Sequence, residues 1–124
     1  VLVVEDEAKL RKVAVTMLRQ LGCEVVGVGT AAAALAHCAA AGPIDVLFTD
    51  IELPGGMNGI ELAARLRTQR PDIAVIYATG HATEAISARP DDAAVLAKPY
   101  AWAELAHAIA GVLGEHAAED RPAR

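Results

Sequence analysis

The sequence predicts an α/β domain in which a parallel sheet carries helices on both faces, three layers in all. Three observations lead there. Short apolar runs recur along the chain, too brief for helices and lacking the alternation of a half-wet strand, as strands buried on both faces require. Stretches with apolar residues at i, i+3 and i+4 separate them, and most of the runs stop abruptly at a polar side chain. Strands that alternate with helices close into a parallel sheet, because each crossover is right-handed and packs its helix back on the sheet.

The 124 residues suit one domain with a single core. With 54% apolar but only 3% aromatic residues, that core must be built from Val, Leu, Ile and Ala. No apolar stretch reaches the length of a membrane span, so no membrane insertion is expected. Sixteen acidic against eleven basic residues give a net charge of −5, and no basic cluster could neutralise a row of phosphates, which excludes direct nucleic-acid binding. The opening VLVVEDE has no basic segment before its apolar run, so a cytoplasmic protein is expected, and the missing initiating Met leads us to expect part of a longer chain. Cys23 and Cys38 lack metal-ligand spacing and read as reduced, packed thiols. His37, His107 and His116 likewise show no metal spacing and read as helix-surface residues.

Residues 1–4 form the first strand, which ends at Glu5 and Asp6. From Leu10, the apolar positions Leu10, Val13, Ala14, Met17, Leu18 and Leu21 mark one face of a helix that Gly22 stops. Residues 24–29 read as a second strand, followed by an Ala-rich helix with Thr30 as N-cap that runs to about Ala41, before Gly42-Pro43. The central strand is the run Val46, Leu47, Phe48, and Asp50 stands at its end. A Pro/Gly-rich loop over residues 54–59 precedes a helix over 60–70, with Leu62, Ala63 and Leu66 inward and Pro71 beyond it. A fourth strand over 73–78 stops at Thr79, and a short helix over 83–89 follows. The fifth strand, over 93–97, ends at Lys98-Pro99. The last helix sets Trp102, Leu105, Ala106, Ile109, Val112 and Leu113 on one face, and residues 114–124 read as a flexible tail behind a 1–113 domain.

Glu5 and Asp6, Asp50, Thr79 and Lys98 thus end four strands, and in a parallel sheet those ends share one edge, where ligands of open α/β folds bind. Taken singly, Glu5-Asp6 reads as a helix cap, Thr79 as a strand-end hydroxyl, Lys98 as solvated and Asp50 as a cap or turn. Their coincidence favours a site. Three acidic side chains in one place repel unless a cation joins them, and hard oxygen ligands in a partly hydrated site suit Mg2+. A carboxylate, a divalent ion, an ammonium and a hydroxyl are what a transferring phosphoryl group needs on its oxygens. Asp50 would then be the nucleophile that forms an aspartyl phosphate.

These residues occur in the motifs VVEDE, FTDIELPGGMNGIEL, YATG and AKPY, and over residues 1–113 the chain resembles the receiver domain of two-component response regulators. The resemblance implies a flavodoxin-like fold with sheet order 2-1-3-4-5. It implies Asp50 as phosphoacceptor, Asp6 as a direct Mg2+ ligand, Glu5 as a ligand through water and the backbone carbonyl of Glu52 as a further ligand. Thr79 would swing toward the phosphoryl group, and Lys98 would pair with it, with Pro99 giving a cis-prone bond. The donor would be a phosphohistidine on a histidine kinase or histidine phosphotransfer protein. The domain would catalyse its own phosphorylation and dephosphorylation rather than turn over a free substrate. Phosphorylation would shift it between two conformations, engaging a downstream protein through the face of helix 83–89, strand 93–97 and the last helix, and allowing a phosphorylation-dependent homodimer.

Several features depart from the family pattern. The 54–59 loop carries one extra residue, and Gly55-Gly56 suggests a looser lid. Val95 occupies the position of an aromatic switch residue, so Tyr77, Tyr100 or His81 becomes the alternative reporter, although the two tyrosines read first as sheet-edge packing. Glu52 and His81 fall where members differ in dephosphorylation rate. The GGMNG and KPY segments resemble receivers of hybrid histidine kinases, and YATG resembles single-domain regulators; a module that relays phosphate or binds a partner is expected rather than a transcription factor. Two rivals remain: an aspartyl-phosphate phosphohydrolase, for which Glu52 stands where Asp is wanted, and a pseudo-receiver that only binds partners.

Overall fold

The computed structural model describes residues 1–41, 44–80 and 94–120. In order these form β1 (Leu2–Val4), α1 (Ala8–Gln20), β2 (Val26–Val28), α2 (Ala31–Ala41), β3 (Val46–Asp50), α3 (Gly59–Gln69), β4 (Ala74–Thr79), β5 (Ala94–Ala97) and a last helix, α4 (Trp102–Asp120). The helix expected over 83–89 and the Gly42-Pro43 stop lie outside the described residues. The strands pair in parallel in the order β2-β1-β3-β4-β5, the flavodoxin-like arrangement expected.

Local chemistry sets the helix ends. Gly22 adopts φ +91°, and the N–H groups of Gly22 and Cys23 return to the carbonyls of Arg19 and Leu18, so the glycine closes α1 by satisfying carbonyls that the helix leaves over. Thr30 Oγ1 accepts from Ala33 N–H at 3.0 Å and caps α2 as expected. At α3, Asn58 Oδ1 accepts from Glu61 N–H at 2.8 Å while Glu61 Oε1 accepts from Asn58 N–H at 3.1 Å. This reciprocal box starts the helix at Gly59, one turn position ahead of the periodicity. The N-cap of α1 is Glu7, without a side-chain capping bond, so Glu5 and Asp6 are released from the capping role that each could have had.

Alternation along the strands divides the core. Leu2, Val4, Leu47, Val75 and Tyr77 face Ala34, Cys38, Leu62 and Leu66 of α2 and α3. Val3, Val46, Phe48, Ile76 and Leu96 face Ala14, Leu18, Leu105 and Ile109 of α1 and α4. All of β3 is buried, which makes it the rigid centre on which Asp50 is mounted. At the edge, β2 is shorter than the 24–29 run and Val26 is exposed; a Cβ on Gly27 would meet Val15 Cγ2 at 2.9 Å, so glycine lets α1 lie close against this strand.

The apolar stripes are not covered throughout. Leu10 and Val13 share the face of Ala14 and Leu18, yet they are 41% and 48% exposed, and Trp102 is 47% exposed on the last helix. A helix repeat registers which residues share a face, not whether anything covers that face. Leu113 is also exposed, and α4 continues past Gly114 into the segment read as a tail. No helix among the described residues is long and apolar enough to cross a membrane.

Candidate functional site

Parallel register brings the strand ends together. Val4 lies opposite Thr49, Asp50 opposite Ala78, and Thr79 opposite Ala97, so the residues just beyond β1 and β5, Glu5 and Lys98, flank Asp50 and Thr79. The Lys98 N–H also donates to the Thr79 carbonyl at 2.9 Å, extending the β4·β5 ladder to the lysine.

Lys98 Nζ lies 2.8 Å from Asp50 Oδ2 and 3.2 Å from both carboxylate oxygens of Glu5. Glu5 and Asp50 are buried, while Asp6 is exposed beside them. One ligand atom from each of Glu5, Asp6 and Asp50 falls within 4.8 Å of the others. Burial pushes the Glu5 carboxyl up to about 7; the neighbouring Asp50 adds to the rise and Lys98 opposes it. Burial works to lower the Lys98 ammonium, but its hydrogen bond and charge pairing with Asp50, supported by Glu5, outweigh it and the net shift is upward. Two carboxylates hold the ammonium and a third, Asp6, lies beside them, so acidic groups outnumber the one cation and their all-oxygen donor set fits a small hard divalent cation.

Glu52 touches both halves of the site. Its backbone N–H donates to Asp50 Oδ1 at 3.1 Å, and its carboxylate Oε1 accepts from Thr79 Oγ1 at 2.8 Å. Sequence reasoning singled out Glu52 for its carbonyl and for a position where members differ in dephosphorylation rate, and missed this side-chain bond to Thr79. Gly59 closes the loop behind Asp50, donating its N–H to the Ile51 carbonyl at 2.7 Å. A Cβ there would run into the Asp50 carbonyl, so the last glycine of the loop is required by close backbone approach. Lys98-Pro99 is cis.

Tyr100 packs edge-on against Phe48, with ring centroids 5.6 Å apart and planes at 62°. Burial raises its hydroxyl, with Lys98 opposing and the two carboxylates reinforcing the rise. Tyr77 is fully buried on the opposite face of the sheet, where Val95 packs against the same cluster; His81 lies outside the described residues. Both cysteines are free, as expected. A groove of about 360 Å3 runs from Glu5, Asp50 and Lys98 along Leu10, Val13 and Met17 of α1, so the exposed Leu10 and Val13 line the approach to the acidic cluster.

Fold and site together define a class: a doubly wound α/β domain with an acidic cluster and a lysine at the carboxyl edge of its sheet. Residues 1–110 match the family model of the response regulator receiver domain. The chain is 34% identical over 116 residues to the response regulator receiver protein CpdR of Brucella abortus, spanning 91% of this chain and 95% of that protein. It is 32% identical over 117 residues to the sensor kinase CckA of Brucella abortus, where the match takes 91% of this chain but 12% of the kinase. The crystal structure of a response regulator receiver protein from Sinorhizobium medicae superposes with a TM-score of 0.85 at 29% identity, covering 93% of this chain and 94% of that one. The chain belongs to the response regulator receiver domain family, the receiver module of two-component signalling.

Proposed function

We propose that Asp50 accepts a phosphoryl group from a phosphohistidine of a histidine kinase or histidine phosphotransfer protein. The observation that carries this is the convergence of Lys98 on Asp50 and Glu5, beside Asp6, at the open edge of the sheet. A carboxylate oxygen of Asp50 attacks phosphorus as the phosphorus–nitrogen bond breaks; the electron pair leaves with the imidazole nitrogen, and the product is an aspartyl phosphate. Lys98, already 2.8 Å from the carboxylate, pairs with a phosphoryl oxygen, and the Thr79 hydroxyl donates to another. Asp6, Asp50 and the Glu52 backbone carbonyl would hold Mg2+, with Glu5 acting through water. The bound ion would neutralise charge on the phosphoryl oxygens during transfer.

The donor must present an imidazole at Asp50, so its docking surface has to border the site. The exposed Leu10 and Val13, contiguous with Asp50 along the α1 groove, fit that partner. Phosphorylation then biases a two-state equilibrium. The downstream partner, or a second copy of the chain, engages the face that contains β5 and α4. This role suits the cytoplasm and a phosphoacceptor unit spanning residues 1–113.

Intact mass after incubation with acetyl phosphate and Mg2+, with and without EDTA, tests the reading on the wild type and Asp50→Asn. A metal-dependent, base-labile gain of one phosphoryl group in the wild type alone is expected. The same adduct on Asp50→Asn would overturn the assignment. Rapid release of inorganic phosphate from small esters would favour the phosphohydrolase instead, and absence of both the adduct and beryllofluoride binding would favour the partner-binding pseudo-receiver.

A further inference from the structure

The bond between Thr79 and Glu52 bears on a step that the phosphoacceptor reading leaves open. A threonine hydroxyl has one proton to donate. In this structure that proton goes to Glu52 Oε1, at 2.8 Å, while Thr79 itself is buried at the end of β4. The same Glu52 residue fixes Asp50 through its backbone N–H, so its side chain spans from the β3 end to the β4 end. A hydrogen bond to a carboxylate is stronger than one to a neutral acceptor. The hydroxyl therefore rests on Glu52, and an anion such as a phosphoryl oxygen is the acceptor that competes for it on equal terms.

We propose that the Glu52 carboxylate is a positioning residue that holds the Thr79 hydroxyl away from the phosphoryl position until the phosphoryl group, or a mimic of it, displaces it. The inference rests on the phosphoacceptor reading and extends it to Glu52, whose backbone groups and side chain have separate tasks. In a chain with Val95 where the family has its aromatic partner, this carboxylate supplies a restraint on Thr79 from the other side. Glu52 holds the hydroxyl; Asp50 and Lys98 hold the phosphoryl group.

Substituting Glu52 changes the side chain and leaves its amide and carbonyl in place, so the Asp50 bond and any metal contact through the carbonyl are kept. Two measurements test the proposal. The first is the χ1 angle of Thr79, from three-bond couplings of its methyl carbon to the backbone, without phosphodonor. The wild type and Glu52→Gln, which retains an acceptor oxygen, should each show one rotamer, and Glu52→Ala should show averaging. The second is beryllofluoride affinity in Mg2+ for wild type, Glu52→Ala, Thr79→Ala and the double variant. Glu52→Ala should bind about fivefold more tightly, the worth of one hydrogen bond. That gain should vanish in the Thr79→Ala background, the signature of coupling through the hydroxyl.

Averaging in the wild type, or a rotamer unchanged by Glu52→Ala, would overturn the proposal. So would a gain that persists without the hydroxyl, because it would assign the effect to repulsion between Glu52 and the incoming anion. A wild type that binds no beryllofluoride and takes no phosphoryl group from acetyl phosphate, yet has one Thr79 rotamer released by Glu52→Ala, would sink the phosphoacceptor reading and leave the restraint standing.

Discussion

Replacing Lys98 with Met should destabilise the metal-free protein, and more at pH 8 than at pH 6. The asymmetry comes from Glu5, whose folded-state pKa of about 7 stands above its ordinary 4.5. Between those values the folded chain holds a proton that the unfolded chain has released, so Glu5 costs stability as pH rises through the window, about 3 kcal/mol in all. Lys98 is the neighbour that opposes this rise. Without it the Glu5 pKa climbs past 7 and the window extends to higher pH. At pH 6 Glu5 is largely protonated in both proteins, and the loss is confined to the pairing with Asp50. The Lys98 side chain is 23% exposed, so that pairing is worth about 1–2 kcal/mol, below the value for a fully buried pair. At pH 8 a one-unit upward shift adds about 1 kcal/mol, and no shift can add more than about 1.4 kcal/mol because the wild-type Glu5 is already ionised there, bringing the loss to about 2–3 kcal/mol. The raised pKa of Lys98 adds no tilt of its own, because pH 6 and pH 8 both lie below its ordinary 10.5, where its contribution is fully present. Urea unfolding of wild type and Lys98→Met in EDTA at the two pH values measures the difference directly. Equal losses at pH 6 and pH 8, or a larger loss at pH 6, would refute the electrostatic account of the cluster.

On the proposed reading Mg2+ competes with the proton on Glu5, so the apparent dissociation constant, followed by calorimetry, should fall about fivefold from pH 6 to pH 7, about twofold more by pH 8, and level off above. Gly59→Ala drives a methyl into the Asp50 carbonyl, and thermal or urea unfolding should show a loss of about 2–4 kcal/mol, with weaker Mg2+ binding because the Asp50 backbone has to move. Leu10→Ser combined with Val13→Ser should cost less than about 1 kcal/mol, since both side chains are exposed. The same double variant should slow phosphotransfer from a cognate phosphohistidine protein at least tenfold in a radiolabel assay while leaving the acetyl phosphate reaction unchanged; equal slowing of both would remove α1 as the donor surface.

The fold was legible because its central strands, β1, β3 and β4, are buried on both faces. Val46, Leu47 and Phe48 have no polar residue among them, and only the interior of a covered sheet accommodates such a run. The helix ends were legible too, since Gly22 closes α1 and Thr30 opens α2 through local chemistry that needs no tertiary context. Leu10 and Val13 were not. They continue the stripe that buries Ala14 and Leu18, and a stripe left open beside a groove has the same spacing as one covered by the sheet. The exposure of Trp102 on α4 was hidden for the same reason.

The site divides along a similar line. Glu5, Asp50 and Lys98 could be brought together from sequence because parallel topology alone places strand ends at one edge, and their residue types make sense only as a charge cluster. The bond from Thr79 to the Glu52 side chain was out of reach, because it depends on how the backbone turns after Asp50. That turn is fixed by Gly59 approaching the Asp50 carbonyl and by the Asn58–Glu61 box that starts α3. With the backbone so anchored, the Glu52 amide points to Asp50 while its carboxylate reaches Thr79. The chemistry of the carboxylates is therefore written in residue types, whereas the restraint on the hydroxyl arises from the geometry of a loop.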